Sequence, residues 1–222
     1  DCNMRLPRLS CGYEMTAPLF NREAIRAGDI ICGRGTAAIS RAIMLRTAGL
    51  LSLWRGDSWS HDSGAIWHNG KLWFGDSHMG QKATLVDPAE WEAKCLTGTY
   101  RVLVLRPTIA TREQGEAAAW WWQTHIQGSE YDRHGVSHLV FDWTLEKLHI
   151  RAGKEDRFWC TEGWAKAYQA GAGLSLWFPK INPTPGTTRK RYIEGLFCVV
   201  PGALTEFGEQ FMIRPPARRS AS

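Results

Sequence analysis

With 222 residues, 44% of them hydrophobic and 22% charged, the chain can bury a sizeable core and has an ordinary globular composition. Its formal net charge is +5, but the basic residues form no stripe with interleaved aromatics, so nucleic acid is not an expected partner. No apolar run reaches the roughly eighteen residues that a membrane-spanning helix needs.

Residues 1–22 carry prolines without a period and read as an irregular N-terminal lead-in. Ala27-Gly28-Asp29 is a turn, and Ile30-Ile31-Cys32 opens a short strand. Residues 36–47 read as a helix with Ile39, Ile43 and Met44 at helical spacing and Gly49 as its stop. Residues 49–60 read as a loop. Asn69-Gly70 is a two-residue hairpin signal between Ala65-Ile66-Trp67 and Leu72-Trp73-Phe74. With that turn, residues whose numbers sum to about 139 face each other, which sets His61 opposite His78 and Ser63 opposite Asp76, all four on one face.

Tyr100 to Arg106 reads as a buried strand stopped by Pro107. Thr111 and Gln114 form a capping-box pair opening a helix to about Ile126. Of the three consecutive rings Trp120-Trp121-Trp122 on that helix, at least two are expected in the core and the third along a groove, because one helix face cannot hold all three. A polar turn follows at 129–132, then a helix over 136–150. Trp164, Ala165, Ala167 and Tyr168 lie at helical spacing before Gly171 and Gly173, which places Cys160 at the start of a further helix. Residues 195–200 read as the last strand. The short basic patches Arg189-Lys190-Arg191 and Arg218-Arg219 read as solvated loop and terminus. The expectation is one α+β domain over 23–205, with four or five strands and three or four helices as a small antiparallel sheet packed on helices, and a C-terminal tail over 206–222.

The six cysteines, at 2, 11, 32, 95, 160 and 198, are scattered without zinc-type spacing, although a Cys2–Cys11 bridge stays open. Cys160 stands apart because unpaired N–H groups at a helix N-terminus favour the negative charge of a nucleophilic thiolate. A cysteine nucleophile needs a base and a group that orients the base. His61 can be that base, with Asp76 or His78 on the neighbouring strand as the orienting group. Glu162 is accounted for by its place in the first helical turn, and His125, His134, His138 and His149 share no pattern.

These segments, in their order, resemble the circularly permuted, papain-like branch of the NlpC-type cysteine peptidases, the YiiX/YaeF group of amidases. The matching pieces are Ala27-Gly28-Asp29-Ile30-Ile31, Ser60-His61-Asp62-Ser63-Gly64-Ala65-Ile66, Phe74-Gly75-Asp76-Ser77, Tyr131-Asp132 and Trp159-Cys160-Thr161-Glu162-Gly163-Trp164. Ser63 is an insertion before the expected glycine, Asp76 stands where that group usually has Glu, and Gly163 where it has Leu. The resemblance implies a permuted papain-like domain with Cys160 as nucleophile, His61 as general base and then acid, and Asp76 as orienting group. It also implies Tyr131 near the site; His78 is read, apart from the resemblance, as a further substrate-binding candidate. The Cys160 N–H would be one oxyanion donor.

The implied activity is that of a cysteine amidase or peptidase working through an acyl-enzyme on a peptide, cell-wall or acyl-amide substrate. A lipid acyltransferase or thioesterase-like enzyme, with His78 in the orienting role, is the alternative enzyme. A catalytically inactive binding protein is the alternative of another class. No cofactor and no metal are expected, and a metal held by His61, His78 and Cys160 is the least favoured reading. The chain begins at Asp1 rather than Met, which leaves a processed leader, and with it the compartment, open.

Overall fold

The computed structural model describes residues 18–78, 80–132, 158–177 and 183–218. Its elements are β1 (Ile30–Gly35), α1 (Ala38–Ala48), α2 (Leu50–Arg55), β2 (His61–His68), β3 (Lys71–Asp76), β4 (Thr84–Val86) and α3 (Pro88–Leu96). They continue as β5 (Tyr100–Pro107), α4 (Arg112–His125), α5 (Cys160–Lys166), α6 (Pro185–Ile193), β6 (Phe197–Val199) and α7 (Glu206–Glu209). The strands form one antiparallel sheet in the order β4-β3-β2-β1-β5-β6, an α+β architecture as expected from the sequence.

The β2–β3 hairpin keeps the register its turn dictates. Asn69 and Gly70 both have positive φ, at 52° and 73°, the backbone of a tight hairpin turn. Gly64 therefore pairs with Gly75 and Ala65 with Phe74. The facing glycines leave a notch in the sheet, which the stacked indoles of Trp122 and Trp164 fill at a centroid separation of 5.7 Å. Trp164 Nε1 closes the contact by donating to Gly75 O at 3.0 Å. This notch lets the helix headed by Cys160 lie close against β2. A Gly64→Ala variant would drive its Cβ into the Trp164 ring, so we expect a loss of about 1–3 kcal/mol, read as a lowered thermal midpoint; an unchanged midpoint would contradict this packing.

Each sheet face has its own core. Ala65, Leu72, Phe74, Trp91 and Cys95 pack with Leu19, Phe20 and Leu204 on one side. Ile66, Trp122, Trp164, Tyr168, Trp177 and Phe197 pack on the other. The Trp triplet divides as expected: Trp122 is fully buried, Trp121 packs at the core margin, and exposed Trp120 lines a cleft with Trp67. Thr111 and Gln114 form the expected reciprocal cap of α4.

Several elements depart from the sequence reading. Residues 50–55 are helical rather than loop, between Gly49 and a left-handed Gly56. Helix α3, capped by Asp87 with Pro88 in its first turn, and strand β4 fill a region where the sequence offers no long period. The Arg189-Lys190-Arg191 patch is not a solvated loop. It lies on α6, where Arg189 pairs with Asp57 at 3.0 Å and Arg191 is nearly buried. The domain also extends beyond both expected ends. Leu19 and Phe20 are buried, and Phe20 bridges to Leu204. Past residue 205, Ile213 is fully buried and its N–H donates to Val102 O at 2.8 Å, so 206–213 is part of the packed domain rather than tail. The helix expected over 136–150, with His134, His138 and His149, lies outside the described residues, as do Cys2 and Cys11. Among the described residues, no helix is long and apolar enough to cross a membrane.

Candidate active site

His61 is the first residue of β2 and Asp76 the last of β3, so the hairpin register carries them to the same end of the sheet. Both are buried, and His61 Nε2 meets Asp76 Oδ1 at 2.5 Å. His78 stacks flat on the His61 ring, centroids 4.3 Å apart and planes within 4°. Its Nε2 comes to 3.1 Å from Asp76 Oδ2, the carboxylate oxygen that does not bond His61. The hydrogen bond to His61 is therefore made by Asp76, while His78 lies over the face of the ring.

Burial alone would push the His61 pKa down, but the adjacent Asp76 charge, with smaller contributions from Cys160 and Tyr100, reverses this and holds it well above 6.5. For Asp76, the desolvation that would raise its pKa is outweighed by the His61 charge and hydrogen bond, with help from His78, and the carboxyl lies far below its usual range. The two shifts agree in sign: each group favours the charged form of the other.

Cys160 is the first residue of α5 and is 6% exposed. Its helix is held to β2 from directly behind the thiol, since Thr161 Oγ1 donates to Asp62 Oδ2 at 2.8 Å. Ahead of it, Phe158 bridges to Tyr131, and Trp159 Nε1 donates to Pro183 O at 2.6 Å. Tyr131 is buried beside Trp159, with Ile43 of α1 packed on the pair. Burial first, then the charges of Cys160 and Asp76, raise the Tyr131 phenol well above 10, so it stays a neutral hydroxyl. Glu162 is buried in the first turn of α5, where its charge suits the helix dipole.

Sequence reasoning overlooked Asp62. Its Oδ2 accepts from Thr161 on α5 and, at 2.7 Å, from Thr188 on α6. One fully buried carboxylate thus ties β2 to two helices. Burial raises its pKa despite those two hydrogen bonds. An acidic residue inside an otherwise uncharged run, Ser63-Gly64-Ala65-Ile66, was the available signal.

His61, Asp76 and His78 also offer three ligand atoms within 4.8 Å of one another. Hard–soft preference does not exclude a divalent ion there, since imidazole and carboxylate both bind zinc. Two ligands on one tetrahedral zinc, each about 2.0–2.2 Å from it, stand roughly 3.3 Å apart. The 2.5 Å His61–Asp76 contact is a hydrogen-bonding distance instead.

The protein is thus an α+β domain with a carboxylate-held imidazole at one end of its sheet and a buried thiol at the start of α5 whose charge acts on that imidazole. No family model matches the chain, and no match is found among curated proteins. Among solved structures, the metalloprotein YiiX from Escherichia coli O157:H7 is similar, at 21% identity and a TM-score of 0.49, over 82% of this chain and 93% of that one.

Proposed function

We propose that the protein is a cysteine hydrolase of the permuted papain-like kind, which cleaves an amide through a Cys160 acyl-enzyme. The carrying observation is the buried His61–Asp76 pair. Because Nε2 of His61 is engaged by Asp76, Nδ1 is the nitrogen left to exchange a proton with a thiol. In this reading His61 takes the Cys160 proton and the sulfur attacks the substrate carbonyl carbon. His61 then returns the proton to the departing amine, and water, deprotonated by the same imidazole, releases the acid. The Cys160 N–H supplies one oxyanion donor, and the neutral Tyr131 hydroxyl and the partly exposed His78 border the substrate. Peptide, cell-wall peptide and acyl-amide substrates all fit this chemistry, because a fold does not by itself select among them.

The test is iodoacetamide alkylation followed by peptide mapping. Cys32 and Cys95 are buried, and burial raises both thiols, Cys95 to about 12, so they are expected to stay unmodified. Cys160 is expected to label selectively near pH 6, within the roughly 3.5–7.5 range of activated thiols, and to lose that labelling in His61→Ala. Uniform slow labelling that rises only above about pH 8 would instead favour a non-catalytic binding protein.

The ligand-atom cluster supports a second reading, in which a divalent ion occupies His61, Asp76 and His78. It predicts stoichiometric metal by elemental analysis that His78→Ala abolishes. Full activity after exhaustive chelation would remove it.

A further inference from the structure

We propose that the α1–α2 hairpin docks the protein on an anionic membrane surface. Of nine large hydrophobic side chains exposed among the described residues, five lie between residues 39 and 54: Ile39, Leu45, Leu50, Leu51 and Trp54. Three are strongly exposed, Leu50 at 70%, Leu51 at 57% and Trp54 at 87%. Single exposed apolar residues are normal on any surface, but five gathered on two consecutive helices, α1 and α2, are the kind of cluster that marks an interaction site.

The hairpin is not a loose segment. Met44 is buried, Ile43 packs on Tyr131 and Trp159, and Gly186 of α6 sits directly against Thr47 O. The inner face is therefore anchored to the domain while the outer face stays apolar.

Charge decides between occupants. No aspartate or glutamate occurs from Ile30 to Gly56, and Arg41 and Arg55 are exposed within the hairpin. A second copy meeting the same face across a two-fold axis would bring like charges together. Anionic headgroups supply the complement, with leucine and tryptophan entering the headgroup–acyl boundary and arginine left at the phosphates. Because Ile43 on the inner face touches Trp159, the residue before Cys160, the docked element adjoins the segment that carries the thiol. A membrane-borne acyl or amide substrate then follows, and only that last step rests on the hydrolase reading.

The experiment is co-sedimentation of the full chain with vesicles of phosphatidylcholine alone and of phosphatidylcholine with phosphatidylglycerol. Binding is expected to the mixed vesicles, weakening as salt rises. It should fall by about tenfold or more in Leu50→Ser/Leu51→Ser/Trp54→Ser. Arg41→Gln/Arg55→Gln, which leaves every apolar contact in place, should weaken binding and flatten its salt dependence. Cys160→Ala should sediment like the unmodified chain, so loss of the hydrolase reading would leave this one standing. No sedimentation with either vesicle, or equal sedimentation of the unmodified chain and both multiple variants, overturns the proposal. Self-association abolished by the triple substitution, without vesicle binding, also overturns it and gives the face to a second copy.

Discussion

Asp76→Asn is expected to lower kcat/KM by about a thousandfold or more, while His78→Asn changes it by less than about tenfold. The carboxylate accepts from His61 Nε2–H at 2.5 Å, fixing the tautomer whose Nδ1 is a base. An amide in its place can donate as well as accept, and so can select the other tautomer. It also removes the charge that favours imidazolium. His78 stacks on the ring and approaches the other carboxylate oxygen, Asp76 Oδ2, at 3.1 Å, so its loss leaves the Oδ1 bond to His61 intact. Parallel kcat/KM measurements on the two variants separate them. Equal losses, or a larger loss in His78→Asn, would transfer the orienting role to His78 and support the acyltransferase alternative.

The same pair predicts a pH signature in stability. His61 has a raised pKa, so its contribution is complete below 6.5 and is lost as pH climbs through the raised folded value. Asp76 has a depressed pKa, so its contribution is present above 3.8 and is lost as pH falls through its folded value. Thermal midpoints across pH should flatten on both limbs in Asp76→Asn. An unchanged profile would mean that the two groups are not coupled.

Asp62→Leu should be the most damaging single change to the framework, at about 2–4 kcal/mol. It strips the acceptor from two buried hydroxyls, Thr161 and Thr188, and relief of the buried carboxylate offsets only part of that loss. In a domain of this size it amounts to a fall of roughly 5–15 °C in the thermal midpoint. Asp62→Asn keeps an acceptor oxygen and is expected to cost under about 1 kcal/mol. Because Thr161 follows Cys160, the Leu variant should also slow Cys160 alkylation at temperatures where it is still folded. Equal midpoints for the Asn and Leu variants would show that these hydrogen bonds carry no net stability.

What the sequence disclosed follows from the range of the interactions involved. The Asn69-Gly70 turn and the Thr111–Gln114 cap are made by neighbours in the chain, so their residue types suffice to read them. The hairpin register in turn places His61 and Asp76 at one end of the sheet. Helix α6 was hidden by a basic run whose ion pair with Asp57 joins residues far apart in sequence. Helix α2 was hidden by its exposed leucines, which follow no buried face.

By itself, then, the sequence determined the α+β class, the hairpin and its register, and the four residues Cys160, His61, Asp76 and His78 as candidates. Tertiary structure alone decided that Asp76 bonds His61 while His78 stacks on it, because both lie at or beyond the last paired residues, where pattern no longer fixes side-chain contacts. It alone showed Asp62 joining β2 to α5 and α6, and the outer face of α1–α2 left apolar. Burial, the cost of an unpaired polar group and the exposure of an apolar one depend on what the rest of the chain brings alongside, and no local pattern records that.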